Sequence, residues 1–320
     1  MSVGSAIPSN EVMTWVPPYA IPASQSIANA DFGACDPVDG LTRVGLQFWT
    51  PNTDGTIKFA DHEWYTPTDA DVSWWRNWCT TNDIQCMLTI YNNTGSWNWP
   101  LAVSAFANNR TVFVNALVAE MERHGLDGID IDLEGPGQTY DENRNDFRLF
   151  IEELSGELHS RGKILTVDSF PYVWNAPNVD WWPDWAGFVD NIHTMGYTEL
   201  YEGGADWQKY SWQQATGVAA GFDGNAVLMG MPAWDPSHAN WGVSSGRGTS
   251  AQAHVQEVRY DLNGPSGIAV WDMQLQGWQD SDLWCEIKEL RGPGAANQPP
   301  VADFTYSPDG LIVDFQDTSS

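Results

Sequence analysis

The sequence predicts an α/β fold of repeated strand–helix units, of a size that suits one barrel. Three observations carry this. Eight short apolar runs recur along the chain. Stretches between several of them carry a helical period. The 320 residues are enough for one barrel of roughly 250 residues with additions. The runs are Val12–Val16, Arg43–Phe48, Ile84–Ile90, Leu126–Asp132, Ile164–Val167, Asn191–Met195, Ala226–Met231 and Gly267–Trp271.

Between the third and fourth runs, Arg110–Arg123 places Val112, Val114, Leu117, Val118 and Met121 near a 3.6-residue period, and His124-Gly125 supplies a C-cap. Between the fourth and fifth, Glu142–Arg161 does the same with Phe147, Phe150, Ile151, Leu154 and Leu158. A further helical stretch, Gln252–Asp261, precedes the eighth run. Trp74, Trp75 and Trp78 read as packing residues. After Leu290 the composition changes. Residues 292–300, Gly-Pro-Gly-Ala-Ala-Asn-Gln-Pro-Pro, read as a linker, and 301–320 resemble the first strands of a PKD-type β-sandwich. The barrel is thus expected over 1–291, with a native chain continuing into accessory modules.

Acidic residues number 42 against 14 basic ones, a formal net charge of −28. Lysines are confined to Lys58, Lys163, Lys209 and Lys288. Nucleic acid and anionic membrane surfaces are therefore excluded as partners. No apolar run reaches the length of about 18 residues that a membrane span needs. The start, Met1-Ser-Val-Gly-Ser5, lacks the charged and apolar segments of a leader. The expectation is a secreted, monomeric protein whose leader is not in this sequence. Four cysteines, Cys35, Cys79, Cys86 and Cys285, suit an extracellular protein with up to two disulfides. Three pairings are open, as are buried free thiols. No Cys-x-x-Cys and no histidine pair at ligand spacing is present, so neither a metal nor a cofactor is expected.

The fourth run carries the chemistry. Leu126-Asp-Gly-Ile-Asp-Ile-Asp-Leu-Glu134 threads carboxylates through an apolar strand. Side chains alternate along a strand, so Asp130, Asp132 and Glu134 share one face, about 7 Å apart, and Ile129, Ile131 and Leu133 take the other. Such acids coexist in a dry interior only by sharing protons, which pushes their pKa values apart. One acid kept protonated beside one kept ionised is what acid-catalysed glycoside cleavage requires. A calcium loop places oxygens at alternate positions too, but in a glycine-rich turn without bulky apolar residues between them.

The stretch resembles the Asp-Gly-x-Asp-x-Asp-x-Glu signature of glycoside hydrolase family 18, matching at Asp127, Gly128, Asp130, Asp132 and Glu134. The resemblance implies a TIM (β/α)8 barrel with this run as its fourth strand and Glu134 at the strand's C-terminal end. It implies substrate-assisted retention, in which the substrate's own acetamido oxygen attacks the anomeric carbon. Glu134 would protonate the leaving oxygen and then deprotonate water. Asp132 would orient the acetamido N–H, and Asp130 would share a proton with Asp132. Asp127, of opposite parity, would be structural. Met195-Gly-Tyr197 resembles the family's Met-x-Tyr, with Tyr197 holding the acetamido carbonyl. Thr198 stands where an Asp is common, which puts a contact to the next sugar in doubt. Trp271 resembles the tryptophan that floors the −1 sugar site. Trp234 stands where a tyrosine is common.

Asp168 ends the fifth run and faces either the cleft or the core. Trp97, Trp99 and Trp49 follow or end barrel strands, where loops line an active face. They are candidates for stacking on further sugars, with packing as the alternative. Residues 232–266 leave no room for the small α+β domain that many family members insert after the seventh strand, so an open cleft and internal cleavage are expected. The leading reading is a secreted endo-chitinase acting on chitin and chito-oligosaccharides. The alternatives are an endo-β-N-acetylglucosaminidase on N-glycans, a peptidoglycan-type hydrolase, and a non-catalytic sugar-binding barrel, against which the presence of Glu134 argues.

Overall fold

The structure, a computed structural model, describes residues 10–63, 65–93, 95–136, 141–197, 205–233, 255–256, 258–259, 266–274 and 281–291. The eight apolar runs become eight parallel barrel strands. These are β1 (Val12–Val16), β2 (Arg43–Pro51), β3 (Gln85–Tyr91), β4 (Gly128–Asp132), β5 (Ile164–Ser169), β6 (Asn191–Thr194), β7 (Val227–Pro232) and β8 (Ile268–Trp271). Each pairs with the next in sequence, and β1 pairs with both β2 and β8, which closes the ring. The fold is the expected TIM (β/α)8 barrel. β2 runs three residues past the expected end because Trp49–Pro51 pair antiparallel with a short strand, Ile57–Phe59.

Helices lie around the ring: α1 (Ile21–Ala28), α2 (Asp69–Thr81), α3 (Arg110–His124), α4 (Asp141–His159), α5 (Tyr210–Ala220) and α6 (Ser281–Arg291). The sequence places their ends. Thr68 and Asp71 form a reciprocal capping box ahead of α2. Gly125, at φ +63°, closes α3 in the left-handed region that glycine adopts without strain. Val112, counted toward the apolar face of α3, is exposed.

The two faces of the strands have different fates. Outward residues such as Leu88, Ile90, Ile129, Ile131 and Val167 pack against the helices in the main core. Inside the ring, the apolar cluster is small: Met13, Trp15, Leu228 and Ala269, with Trp271 against it. Met87 is buried inside the ring as well, and most of the remaining interior is polar. Arg43 donates to Gln85 at 3.1 Å and Asn191 at 2.9 Å. Gln47, Thr89, Asp130, Asp132, Thr166, Asp168 and His193 are buried as well. Gly45 makes this possible, because a Cβ there would meet Met13, Thr89 and the Trp15 ring at 2.6–2.8 Å.

Cys35 and Cys285 form a disulfide that joins the segment after α1 to α6. Cys79 and Cys86 are buried thiols, so one bridge forms rather than two. Among the described residues no helix is long and apolar enough to cross a membrane. The expected linker and the PKD-like tail lie outside the described residues. So do Trp234 and most of the segment between β7 and β8, of which Val255, Gln256, Val258 and Arg259 are helical.

Candidate active site

β4 carries Asp130 and Asp132 into the barrel interior and sets Glu134 two residues past its last ladder position. Asp130 is enclosed by side chains from four other strands. Trp15 Nε1 (2.8 Å) and Thr89 Oγ1 (3.0 Å) donate to Oδ2. Thr166 Oγ1 donates to Oδ1 at 2.5 Å, and His193 Nδ1 lies 3.4 Å from the same oxygen. Burial opposes ionisation, but the hydrogen bonds from His193, Thr166 and Trp15 outweigh it and hold this carboxyl below its ordinary range.

Asp132 lies one step up the strand. Gln47 Nε2 donates to its Oδ2 at 2.6 Å, while Oδ1 has no hydrogen-bond partner among the described residues. Burial pushes its pKa up to about 8, helped by the Asp130 charge and opposed by Gln47. Glu134 is raised well above the carboxylate range, by burial first and then by the adjacent Asp132. The three acids are thus graded from ionised at the barrel centre to protonated at its mouth. The expected proton sharing between Asp130 and Asp132 gives way to coupling between Asp132 and Glu134, since Asp130 is already filled by its own donors.

The Glu134 backbone is fixed from β3. Asn92, buried just past Tyr91, donates from Nδ2 to the Glu134 carbonyl and accepts the Glu134 N–H at Oδ1, both at 2.8 Å. Asp127 sits below the strand, accepting from the Cys86 N–H at 2.9 Å with Arg76 at 3.6 Å, away from the other acids.

Asp132, Glu134, Asp168, Met195, Tyr197, Trp97 and Trp271 line one cavity of about 200 Å³. Asp168 accepts or shares a proton with His193 Nδ1 at 2.8 Å. Burial and then the neighbouring acids raise its pKa well above the ordinary value. Tyr197 holds a left-handed backbone, φ +40°, which costs a non-glycine residue about 1–3 kcal/mol and is typical of functional positions. Burial and then the surrounding carboxylates push its hydroxyl pKa up, so it stays a hydrogen-bond donor. Trp97 and Trp271 also wall a neighbouring groove of about 580 Å³, lined further by Tyr19, Gln47, His62 and Tyr91.

Two proposed sugar contacts are corrected. Trp49 is buried on the outside of the barrel, donating to Glu120 of α3 at 2.9 Å and packing on Phe59 and His124. The register shift between Leu46 and Trp49 reverses the side-chain alternation and turns the indole away from the cleft. Trp99 is buried and donates to Asn143 at 3.0 Å. It lies beneath Gly135, whose absent Cβ would stand 2.8–3.0 Å from the indole. It supports the segment bearing Glu134 rather than facing a sugar.

Sequence reasoning missed Trp15, Gln47, Thr89, Asn92, Thr166 and His193. All but Asn92, which lies just past β3, share one signal: a polar or indole side chain at an inward position of an otherwise apolar strand. It also missed an aromatic set at the mouth. Tyr172 and Trp174 stack with centroids 4.4 Å apart and 15° between planes, and Trp207 meets both edge-on. For metals, Asp130, Asp168 and His193 bring ligand atoms within 4.8 Å of one another. Asp130's oxygens are already occupied by the donors above, so this trio is better fitted to hold protons than a cation.

The family model described as Glycosyl hydrolases family 18 matches residues 19–315. Chitinase A1 of Niallia circulans is 24% identical over 258 residues, covering 69% of this chain and 35% of its own length. The chain therefore spans about a third of that relative. Among solved structures, a chitinase from Chromobacterium violaceum superposes with a TM-score of 0.64 at 16% identity, covering 88% of this chain and 99% of that one. The Bacillus cereus spore cortex-lytic enzyme SleL superposes at 0.60 and 16%, covering 87% and 74%.

Proposed function

The chain belongs to glycosyl hydrolases family 18, and we propose that it is a secreted endo-chitinase working by substrate-assisted retention. One observation carries the reading. The raised carboxyl of Glu134, the Asp132 beside it, the Tyr197 hydroxyl and the Trp271 indole face one small cavity.

Glu134, whose protonated form is favoured by burial and by the adjacent Asp132, donates to the glycosidic oxygen. The 2-acetamido carbonyl oxygen of the sugar on Trp271 attacks the anomeric carbon, and the leaving sugar departs with the proton. Asp132 accepts the acetamido N–H and offsets the charge of the resulting oxazolinium. Asp132 Oδ1, without a hydrogen-bond partner among the described residues, is an acceptor suited to that N–H. Tyr197 donates to the acetamido oxygen and holds it near the carbon it attacks. Glu134, now ionised, takes a proton from water, which opens the ring from the face the leaving group vacated. The configuration is retained, and no side chain of the protein is covalently bound.

The related proteins named chitinases favour chitin over N-glycans as substrate. The short segment between β7 and β8 favours internal cleavage. The Cys35–Cys285 disulfide suits an oxidising, extracellular setting, and the remaining expectations, a monomer with accessory modules beyond residue 291, belong to the same reading.

Incubation with colloidal chitin and, in parallel, with a high-mannose glycopeptide tests the substrate. Release of mixed chito-oligomers as the β-anomer, with a rapid fall in the viscosity of soluble chitin, is expected. Cleavage of the glycopeptide alone, or mainly α-anomer in fresh product, refutes the reading.

A further inference from the structure

Asp168 stands beside Asp132. The β4–β5 ladder runs up to Ile131 opposite Val167, so the next residues, Asp132 and Asp168, are neighbours on strands about 4.8 Å apart. Asp168 in turn pairs with His193 of β6. All three side chains are buried, and both acids line the cavity of about 200 Å³.

The charge state of Asp168 follows from its surroundings. Asp130, Asp168 and His193 bring one atom each within 4.8 Å of one another. Two carboxylates this close in a dry interior cannot both ionise. Asp130 takes hydrogen bonds from Trp15, Thr89 and Thr166 besides its His193 contact, whereas the Asp168 carboxyl has His193 alone among the described residues. Asp130 is therefore the anion, and Asp168 keeps its proton. Burial and then the neighbouring acids act in the same direction on Asp168, and burial keeps His193 neutral. The other titratable groups facing Asp168 are Asp132, Glu134 and Tyr197. Arg43, at the start of β2, is engaged with Gln85, Asn191 and Glu11.

His193 decides which Asp168 oxygen carries the proton. Its Nε2 is buried without a hydrogen-bond partner among the described residues. An orphaned buried N–H is rarer than an orphaned acceptor. The ring hydrogen is thus on Nδ1, which donates to Asp168 Oδ1 at 2.8 Å. The Asp168 proton is then on Oδ2, the oxygen left for the cavity. On the neighbouring strand Asp132 Oδ1 is buried, also without a partner among the described residues.

We propose that Asp168 is a positioning residue acting through Asp132: its Oδ2 hydroxyl, aimed by His193, donates to Asp132 Oδ1 when Asp132 becomes the anion beside the oxazolinium. This rests on the hydrolase reading above and deepens it. A carboxylate oxygen has lone pairs for both the acetamido N–H and this hydroxyl. The two carboxyls are not hydrogen-bonded to each other in this structure. Such bonds are often long without substrate and tighten with it. The proton partner on the inner side of Asp132 is thus supplied by β5, since Asp130 is already filled.

The test compares wild type, Asp168→Asn and Asp168→Leu on the p-nitrophenyl glycoside of the N-acetylglucosamine disaccharide, across pH. Asparagine keeps an acceptor for His193 and an N–H donor for Asp132, and leucine keeps only the approximate volume. Asp168→Leu is expected to lower kcat by about ten- to a hundredfold, the size of one hydrogen bond to a charged group. Asp168→Asn should lose no more than about fivefold, as a weaker donor, with the alkaline limb of its pH profile in place. Equal losses in the two variants mean that Asp168 works as an anion, and they overturn the proposal. Full turnover in Asp168→Leu overturns it as well. So does an alkaline limb moved to lower pH in Asp168→Asn, which would mean that a charge on Asp168 was raising Asp132. If Asp168→Leu does not fold, the limb of Asp168→Asn decides alone. A wild-type protein inert on this glycoside and on colloidal chitin overturns the hydrolase reading itself and this inference with it.

Discussion

Asn92 grips Glu134 by both polar atoms of its own backbone, donating to the carbonyl and accepting the N–H, each at 2.8 Å. The carboxyl that must meet the glycosidic oxygen is aimed from an adjacent strand, with Trp99 below it filling the space under Gly135. Asn92→Ala breaks both bonds and leaves two buried backbone groups unpaired, at about 1–3 kcal/mol each. A lower melting temperature and a fall of at least about tenfold in kcat are expected, since a misplaced acid loses its near-attack geometry. Unchanged kcat in a correctly folded variant would show that the clamp does not position the acid.

Glu134→Gln keeps the shape of the side chain and removes its proton. The variant is expected to fold, to bind chito-oligomers and to lose about 10²–10⁴-fold in hydrolysis or more. Isothermal titration with an N-acetylglucosamine oligomer, alongside turnover, measures both. Turnover near wild type would remove Glu134 from the mechanism.

The graded acids fix the pH response. Asp132, raised to about 8, holds with Glu134 the proton that hydrolysis needs, so activity should fall on the alkaline side as the pair loses it. The Asp130 charge raises Asp132. Asp130→Asn should therefore move that alkaline limb to lower pH, and a limb that stays in place counts against the coupling. Stability carries the same sign. The unfolded Asp132 carboxyl titrates near 3.9 and the folded one higher, so its contribution is full below about pH 4 and is lost as pH rises through about 8. Asp132→Asn should flatten the decline of denaturation midpoint over that window.

Exhaustive chelation should leave activity and melting temperature unchanged. Asp130, the centre of the one candidate ligand trio among the described residues, is engaged by four side chains. A loss restored by a divalent cation would place an ion there.

Reduction of Cys35–Cys285 opens a loop of 250 residues. On chain-entropy grounds this costs about 5 kcal/mol. A markedly lower urea midpoint with activity kept at room temperature is expected, because both cysteines lie away from the cleft. A midpoint unmoved by reduction would contradict this.

The fold was legible because both faces of every barrel strand are buried, which writes each as an apolar run. β4 was legible because carboxylates interrupt such a run at a period of two. What escaped was set by contacts between distant parts of the chain. The outward turn of Trp49 follows from a register shift that no local pattern announces. Trp99 was open to either role until Gly135 was seen to rest on it. Asn92 reads as an ordinary turn residue until a neighbouring strand places Glu134 in its grasp. Trp207 lies in a different loop from Tyr172 and Trp174, so only the fold brings the three rings into one set.

Barrels of this architecture usually fill their centre with layered branched aliphatics. Here Arg43, Asp130, His193 and Asp168 occupy that place, and the apolar residues beside them among those described include only Met13, Trp15, Met87, Leu228, Ala269 and the edges of Tyr91 and Trp271. The atoms that hold the middle of the fold and those that tune the reaction are therefore largely the same. Engineering for heat tolerance has little freedom along the axis, where any repacking would retune the acids. It has most freedom in the shell of helices, whose greasy contacts with the outer strand faces can be exchanged without the chemistry sensing it.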